Sequence, residues 1–123
     1  MTNSSALRIA AILGFLAVAL GAFGAHGLKE ALARHNMVSV WEKAVFYQFI
    51  HTVMLFMLAT RSPFAAGPWW AFLAGILLFS GSLYLLALTN VRWLGAVTPF
   101  GGISFIVGWL WLAICVRAEA PVR

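Results

Sequence analysis

Charged residues are sparse along this chain, and between them lie four long uncharged intervals: residues 9–28, 44–60, 62–91 and 93–116. An α-helix rises about 1.5 Å per residue, so about 20 residues cross a hydrocarbon layer of about 30 Å. The pattern predicts an all-α fold. The expected architecture is an integral membrane four-helix bundle, one polytopic domain over residues 1–123, with spans near residues 7–26, 40–60, 69–88 and 99–116. No soluble domain of useful size fits in what remains.

Local signals sharpen these elements. In the first helix the small residues Ala10, Gly14, Ala17, Gly21 and Ala25 recur mostly four apart, giving a flat stripe for close approach of a neighbour. Gly24 and Gly27 offer a stop. Leu28, Ala31 and Leu32 share one helical face within a charged stretch, which predicts a short interfacial amphipathic helix ended by Asn36. Ser39 and Glu42 have the spacing of a capping box for the second helix. Trp41 is expected in an aromatic belt at the interface, as are Trp69 and Trp70 beside Pro68, which suits the first turn of the third helix. Thr98-Pro99 reads as an N-cap followed by proline at the first helical position. Alternatively, the fourth helix starts near Val91 and is kinked at Pro99. The glycines expected at helix contacts are Gly14, Gly21, Gly24, Gly75, Gly101 and Gly108.

Composition agrees with this reading. The chain is 63% hydrophobic and only 9% charged, with a mean hydropathy of +0.97. Such values exclude a disordered tail, a nucleic-acid module and an ordinary cytosolic enzyme. The net charge of +5 is spread singly over span ends, so its expected partner is the anionic lipid headgroup and not nucleic acid. The first apolar stretch has traits of a signal peptide, but it is longer than the usual h-region of about 7–15 residues, so a retained helix is expected. The positive-inside rule decides nothing, because the basic residues within reach of the spans divide evenly between the two sides. Membrane localisation is expected, in the cell (inner) membrane for a bacterial chain. The lone cysteine, Cys115, excludes an intramolecular disulfide.

Polar side chains inside membrane helices are costly and are candidates for function. Here they are His26 at the end of the first helix, Tyr47, Gln48 and His51 on the second, and Ser80 and Tyr84 on the third. Two histidines converging between the first two helices would suit a metal, a haem or a proton path. Gln48 with Tyr47 and His51 would suit a quinone carbonyl or a lipid headgroup. The simpler reading is that these groups hydrogen-bond to one another and fix helix pairing. Ser80 is expected to bond back to its own helix. With three acidic residues in all, a two-carboxylate mechanism has no material, so no catalytic residue, metal site or cofactor is predicted.

Four strings occur together and in order: Gly21-Ala22-Phe23-Gly24-Ala25-His26-Gly27-Leu28, Tyr47-Gln48-Phe49-Ile50-His51, Phe79-Ser80-Gly81-Ser82-Leu83-Tyr84 and Thr98-Pro99-Phe100-Gly101-Gly102. In these the chain resembles the YgdD/YwdK-like group of small membrane proteins, domain-of-unknown-function family four-two-three, which includes a mammalian transmembrane relative. The resemblance runs from about Ile9 to Trp111. It implies a four-helix integral membrane protein and no particular activity, substrate or cofactor. Two functional expectations follow. One is a structural or accessory protein that packs with itself or within a larger membrane complex. The other is an oligomeric binding or transport unit for a small molecule, lipid, quinone or proton, working through the intramembrane His/Gln/Tyr cluster.

Overall fold

The computed structural model describes residues 2–115, and within them every regular element is helical. In chain order these are α1 (Asn3–Ala25), α2 (Lys29–Arg34), α3 (Val38–Ala59) and α4 (Ala66–Gly75). A π-helical segment (Ile76–Ser80) then joins α4 to α5 (Gly81–Thr89), and a 3-10 turn (Arg92–Ala96) leads into α6 (Thr98–Cys115). Three rods are long and apolar enough to cross a membrane: Asn3–Ala25, Ala66–Thr89 and Arg92–Cys115. The 22-residue α3 is as long as they are but less apolar, because Glu42, Lys43, Gln48, His51 and Thr52 interrupt it.

The reason lies in the packing order. α3 is central: α1 lies against it on one side, and α4, the π segment and α5 lie against it on the other. α6 packs on α4 and the π segment. Eight α3 residues are buried, Gln48, His51 and Thr52 among them. Only Ala6, Ala10 and Ala17 are buried on α1. A helix surrounded by other helices can carry polar groups that find protein partners, whereas one with a broad outward face cannot.

Two apolar clusters sit toward opposite ends. One gathers Ala6 and Ala10 of α1, Leu55, Leu58 and Ala59 of α3, Trp69 and Phe72 of α4, Ile76, and Phe105 and Leu112 of α6. The other gathers Leu32, Trp41 and Ala87, with Leu20, Leu28 and Tyr84 packed against them. Gln48, His51 and Ser80 fall between these clusters.

Several local expectations change. Thr2 caps α1 by accepting from the Ser5 amide at 3.2 Å, so the helix begins four residues before the expected start. α3 begins at Val38 with no side-chain cap, so Ser39 and Glu42 do not form a box. Asn36, in the left-handed region at φ 55°, ends α2, and the Met37 amide reaches back to the Leu32 carbonyl at 2.8 Å. That reversal delivers the chain straight into α3, where the Met37 carbonyl accepts from the Trp41 amide at 3.0 Å. Thr98 is likewise no cap. The 3-10 turn already supplies helical carbonyls ahead of it, and the Thr98 hydroxyl pairs with Ser82 at 2.6 Å. The α-helix itself runs Thr98–Cys115, close to the expected 99–116, and the 3-10 turn over Arg92–Ala96 precedes it in place of a kinked helix from Val91. Trp41 and Trp69 are 2% and 0% exposed, core residues and not belt residues; Trp70 does face outward.

The glycine expectations connect directly to this packing. A Cβ on Gly101 would run into the Phe79 backbone, and one on Gly75 or Gly108 into the Phe105 or Phe72 ring. Gly14 and Gly21 face Thr52 and Val45 of α3 at ordinary contact distance. At Gly24 a Cβ would occupy the place of the Trp41 indole, which donates from Nε1 to the Leu20 carbonyl at 2.9 Å. Without a side chain at Gly24, one turn further along α1, the indole reaches that carbonyl.

Candidate functional site

The candidate cluster is built around two positions of α3. Gln48 and His51 lie three residues apart, and on a helix that spacing puts them on one face. Gln48 Nε2 donates to the Leu13 carbonyl of α1 at 2.9 Å. Its Oε1 accepts from the Tyr84 hydroxyl of α5 at 2.6 Å. One amide side chain therefore ties α3 to a neighbour on each side. One turn before Tyr84, the Ser80 hydroxyl donates to the Ala44 carbonyl of α3 at 2.7 Å. Ser80 was expected to bond within its own helix. It bonds across instead, from the π segment, because that segment lies directly against α3.

His51 is engaged at both ring nitrogens. Nδ1 lies 2.7 Å from the Tyr47 carbonyl, and Nε2 lies 3.0 Å from Trp109 Nε1 of α6. A carbonyl can only accept and an indole N–H can only donate. The two partners together assign the neutral tautomer with the proton on Nδ1 and the Nε2 lone pair turned to the indole. The imidazole also stacks on Phe105, with ring centroids 3.7 Å apart and planes 12° apart. Tyr47 lies nearly parallel to His51 at 6.1 Å and against Phe79 at 4.6 Å. Tyr84 meets the Trp41 ring edge-on at 4.8 Å.

Of the expected site residues, the structure brings together Gln48, Tyr84, His51, Tyr47 and Ser80. His26 does not join them. It caps the end of α1 and is exposed, and about 20 Å of helix separates it from Leu13, where Gln48 bonds. The pair of converging imidazoles is thereby corrected to a single buried one. Among the described residues no three His, Cys, Asp or Glu side chains gather as metal ligands. Sequence reasoning missed Trp109, which closes the His51 site. Its signal was weak: it is one of six tryptophans, and nothing in its local sequence says it turns toward α3. It also missed Leu13, whose contribution is a main-chain carbonyl.

Two buried polar atoms have no partner among the described residues: Thr52 Oγ1 and Trp69 Nε1. Beside Trp109 a groove of about 570 Å³ opens between α3 and α6, lined by Met54, Met57, Leu58, Thr60, Arg61, Trp109, Leu112 and Ala113. It does not enter the Gln48–Tyr84 contact, whose partners fill the space themselves.

A small all-helical chain with helices apolar enough to cross a membrane, tied together by side chains such as Gln48, Ser80, Tyr84 and His51, is the class this geometry defines. The family described as Protein of unknown function (DUF423) matches residues 20–102. The chain is 48% identical to a UPF0382 membrane protein of Staphylococcus epidermidis over 110 residues, covering 86% of this chain and 89% of that one. It is 47% identical to a UPF0382 membrane protein of Staphylococcus saprophyticus over 110 residues, covering 86% and 91%. It is 42% identical to the UPF0382 membrane protein YwdK of Bacillus subtilis over 112 residues, covering 86% and 90%. No solved structure matches. The chain belongs to this family, and it is a membrane protein.

Proposed function

We propose that the chain crosses the membrane four times, with the central α3 a full crossing in its own right, and that it serves as a structural or accessory membrane component, not as an enzyme. The length of α3 supports the fourth crossing, since its 22 residues rise about 33 Å. Its polar residues do not argue against it, because Gln48, His51 and Thr52 are buried against other helices, while the exposed Glu42 and Lys43 lie near its first turn, at the span end.

The observation that carries the accessory role is the closure of the polar cluster. Both ends of Gln48 and both nitrogens of His51 are spent on the protein itself. Groups so engaged hold α1, α3, α5 and α6 in register, and the partners they have are atoms of the protein itself. On this reading the lipid-facing surface is where the chain meets a second copy or a larger membrane complex. Crosslinking in native membranes is expected to trap a defined neighbour or a self-assembly; monomers alone in every membrane tested would overturn it. The crossings are tested separately by labelling single cysteines. Labels at the N-terminus and in residues 60–65 should react from one side, and labels in residues 27–37 and at Asn90 from the other.

A further inference from the structure

α6 packs on α4 and the π segment, so it reaches α3 mainly through side chains. His51, Phe105 and Trp109 bridge that seam. Past Trp109 the bridge ends and the two helices leave the groove of about 570 Å³. Its walls are Met54, Met57 and Leu58 on one side and Trp109, Leu112 and Ala113 on the other, and Thr60 and Arg61 stand at the end where α3 stops. A gap of this kind facing hydrocarbon has one abundant apolar filler. The groove is apolar along its length and cationic at one end, which is the polarity of a phospholipid laid parallel to the helices.

We propose that this seam holds one anionic phospholipid, an acyl chain lying between α3 and α6 and its phosphate at Arg61. Methionine walls suit the occupant, because unbranched, polarizable thioethers adapt to a mobile chain. The Arg61 guanidinium carries five N–H donors in a planar fork that matches a phosphate, enough to serve it alongside another acceptor. A chain in the groove packs on the Trp109 ring, whose N–H is given to His51, and so props the indole that closes the polar cluster. The lipid then completes the α3–α6 contact. This inference rests on the four-crossing reading, but a protein shown by cysteine labelling to cross four times and yet retaining no lipid would fail here alone.

The test is native mass spectrometry of the full chain taken from vesicles of equal phosphatidylglycerol and phosphatidylcholine. One phosphatidylglycerol per chain is expected to survive, in preference to phosphatidylcholine. Arg61→Gln should weaken retention about fivefold, the worth of one cation at an anionic surface, while Arg92→Gln at the other end of the rods should not. Ala113→Trp, at an exposed groove position, should fill the seam and abolish retention with an unchanged helical circular dichroism spectrum. If that variant does not fold, Met57→Trp provides the same test from the opposite wall. Resistance to SDS unfolding should rise on adding phosphatidylglycerol, and the rise should vanish in the filled variants. Equal retention of both lipids, retention unchanged by the filled groove, or equal protection by inorganic phosphate would overturn the proposal. So would a lipid-free dimer that Ala113→Trp breaks, since a second copy would then be the occupant.

Discussion

α1 and α3 are neighbours of nearly equal length, 23 and 22 residues, yet they meet the rest of the protein differently. α1 meets the protein along alanine and glycine and turns Ile12, Phe15, Val18 and Phe23 outward. Its contribution to the polar layer is made by main-chain carbonyls, Leu13 and Leu20, which accept from Gln48 and Trp41. α3 supplies the side chains. Lipid offers no hydrophobic drive for helix association, so close packing and hydrogen bonds must do it. A peripheral helix can serve with a smooth face and bare carbonyls, while the central one must carry the polar groups that find them.

The sharpest way to break this comparison is to spoil the smooth faces. Gly101→Val puts branched carbons into the Phe79 backbone, and Gly24→Leu evicts the Trp41 indole from its place. Each is expected to cost about 3 kcal/mol or more, since overpacking of a filled contact already costs about 1–3 kcal/mol where side chains alone can yield. SDS-titration unfolding reads the loss, and wild-type stability in both would show that the close approaches do not matter. Next in size, Gln48→Leu removes two interhelical bonds and leaves the Tyr84 hydroxyl buried without its acceptor. A loss of about 1–2 kcal/mol is expected. Tyr84→Phe in the Gln48→Leu background should then cost much less than alone, because the bond it would break is already gone.

Smaller still, Trp109→Phe should cost about 0.6 kcal/mol, the average for a membrane hydrogen bond. Its more telling readout is nitrogen NMR of His51. In the wild type the spectrum should show a neutral ring protonated at Nδ1, and Trp109→Phe should shift the Nε2 resonance while leaving that tautomer in place. A ring protonated at Nε2 would contradict the assigned bonding. The smallest effect belongs to the outer face of α1, where Phe15→Leu, with the side chain 70% exposed, should change stability by less than about 0.5 kcal/mol.

Much of the polar layer was legible residue by residue. The three-residue spacing of Gln48 and His51 puts them on one face, whereas Ser80, expected to bond within its own helix, turns with Tyr84 to α3. The small-residue positions Gly75, Gly101 and Gly108 do sit at close approaches. The tryptophans misled, because an indole near a helix end suits an interface and a core equally well by sequence. Trp41 went inward because Gly24 leaves room beside a carbonyl, a fact about the facing helix. His26 looked equivalent to His51 by residue type and by nearness to a span, but the end of α1 lies beyond the reach of the cluster.

Periodicity, length and the scarcity of charge sufficed to determine that this chain is helical and made for a membrane, because hydrocarbon penalises every unsatisfied backbone group and every exposed charge wherever they occur. Those penalties are local and can be read along one strand of text. Which helix is central, which tryptophan is buried and whose carbonyl receives Gln48 were decided only by tertiary packing. Each such contact joins residues 20 to 60 positions apart, and its energy depends on the shape of a partner surface that no local pattern describes.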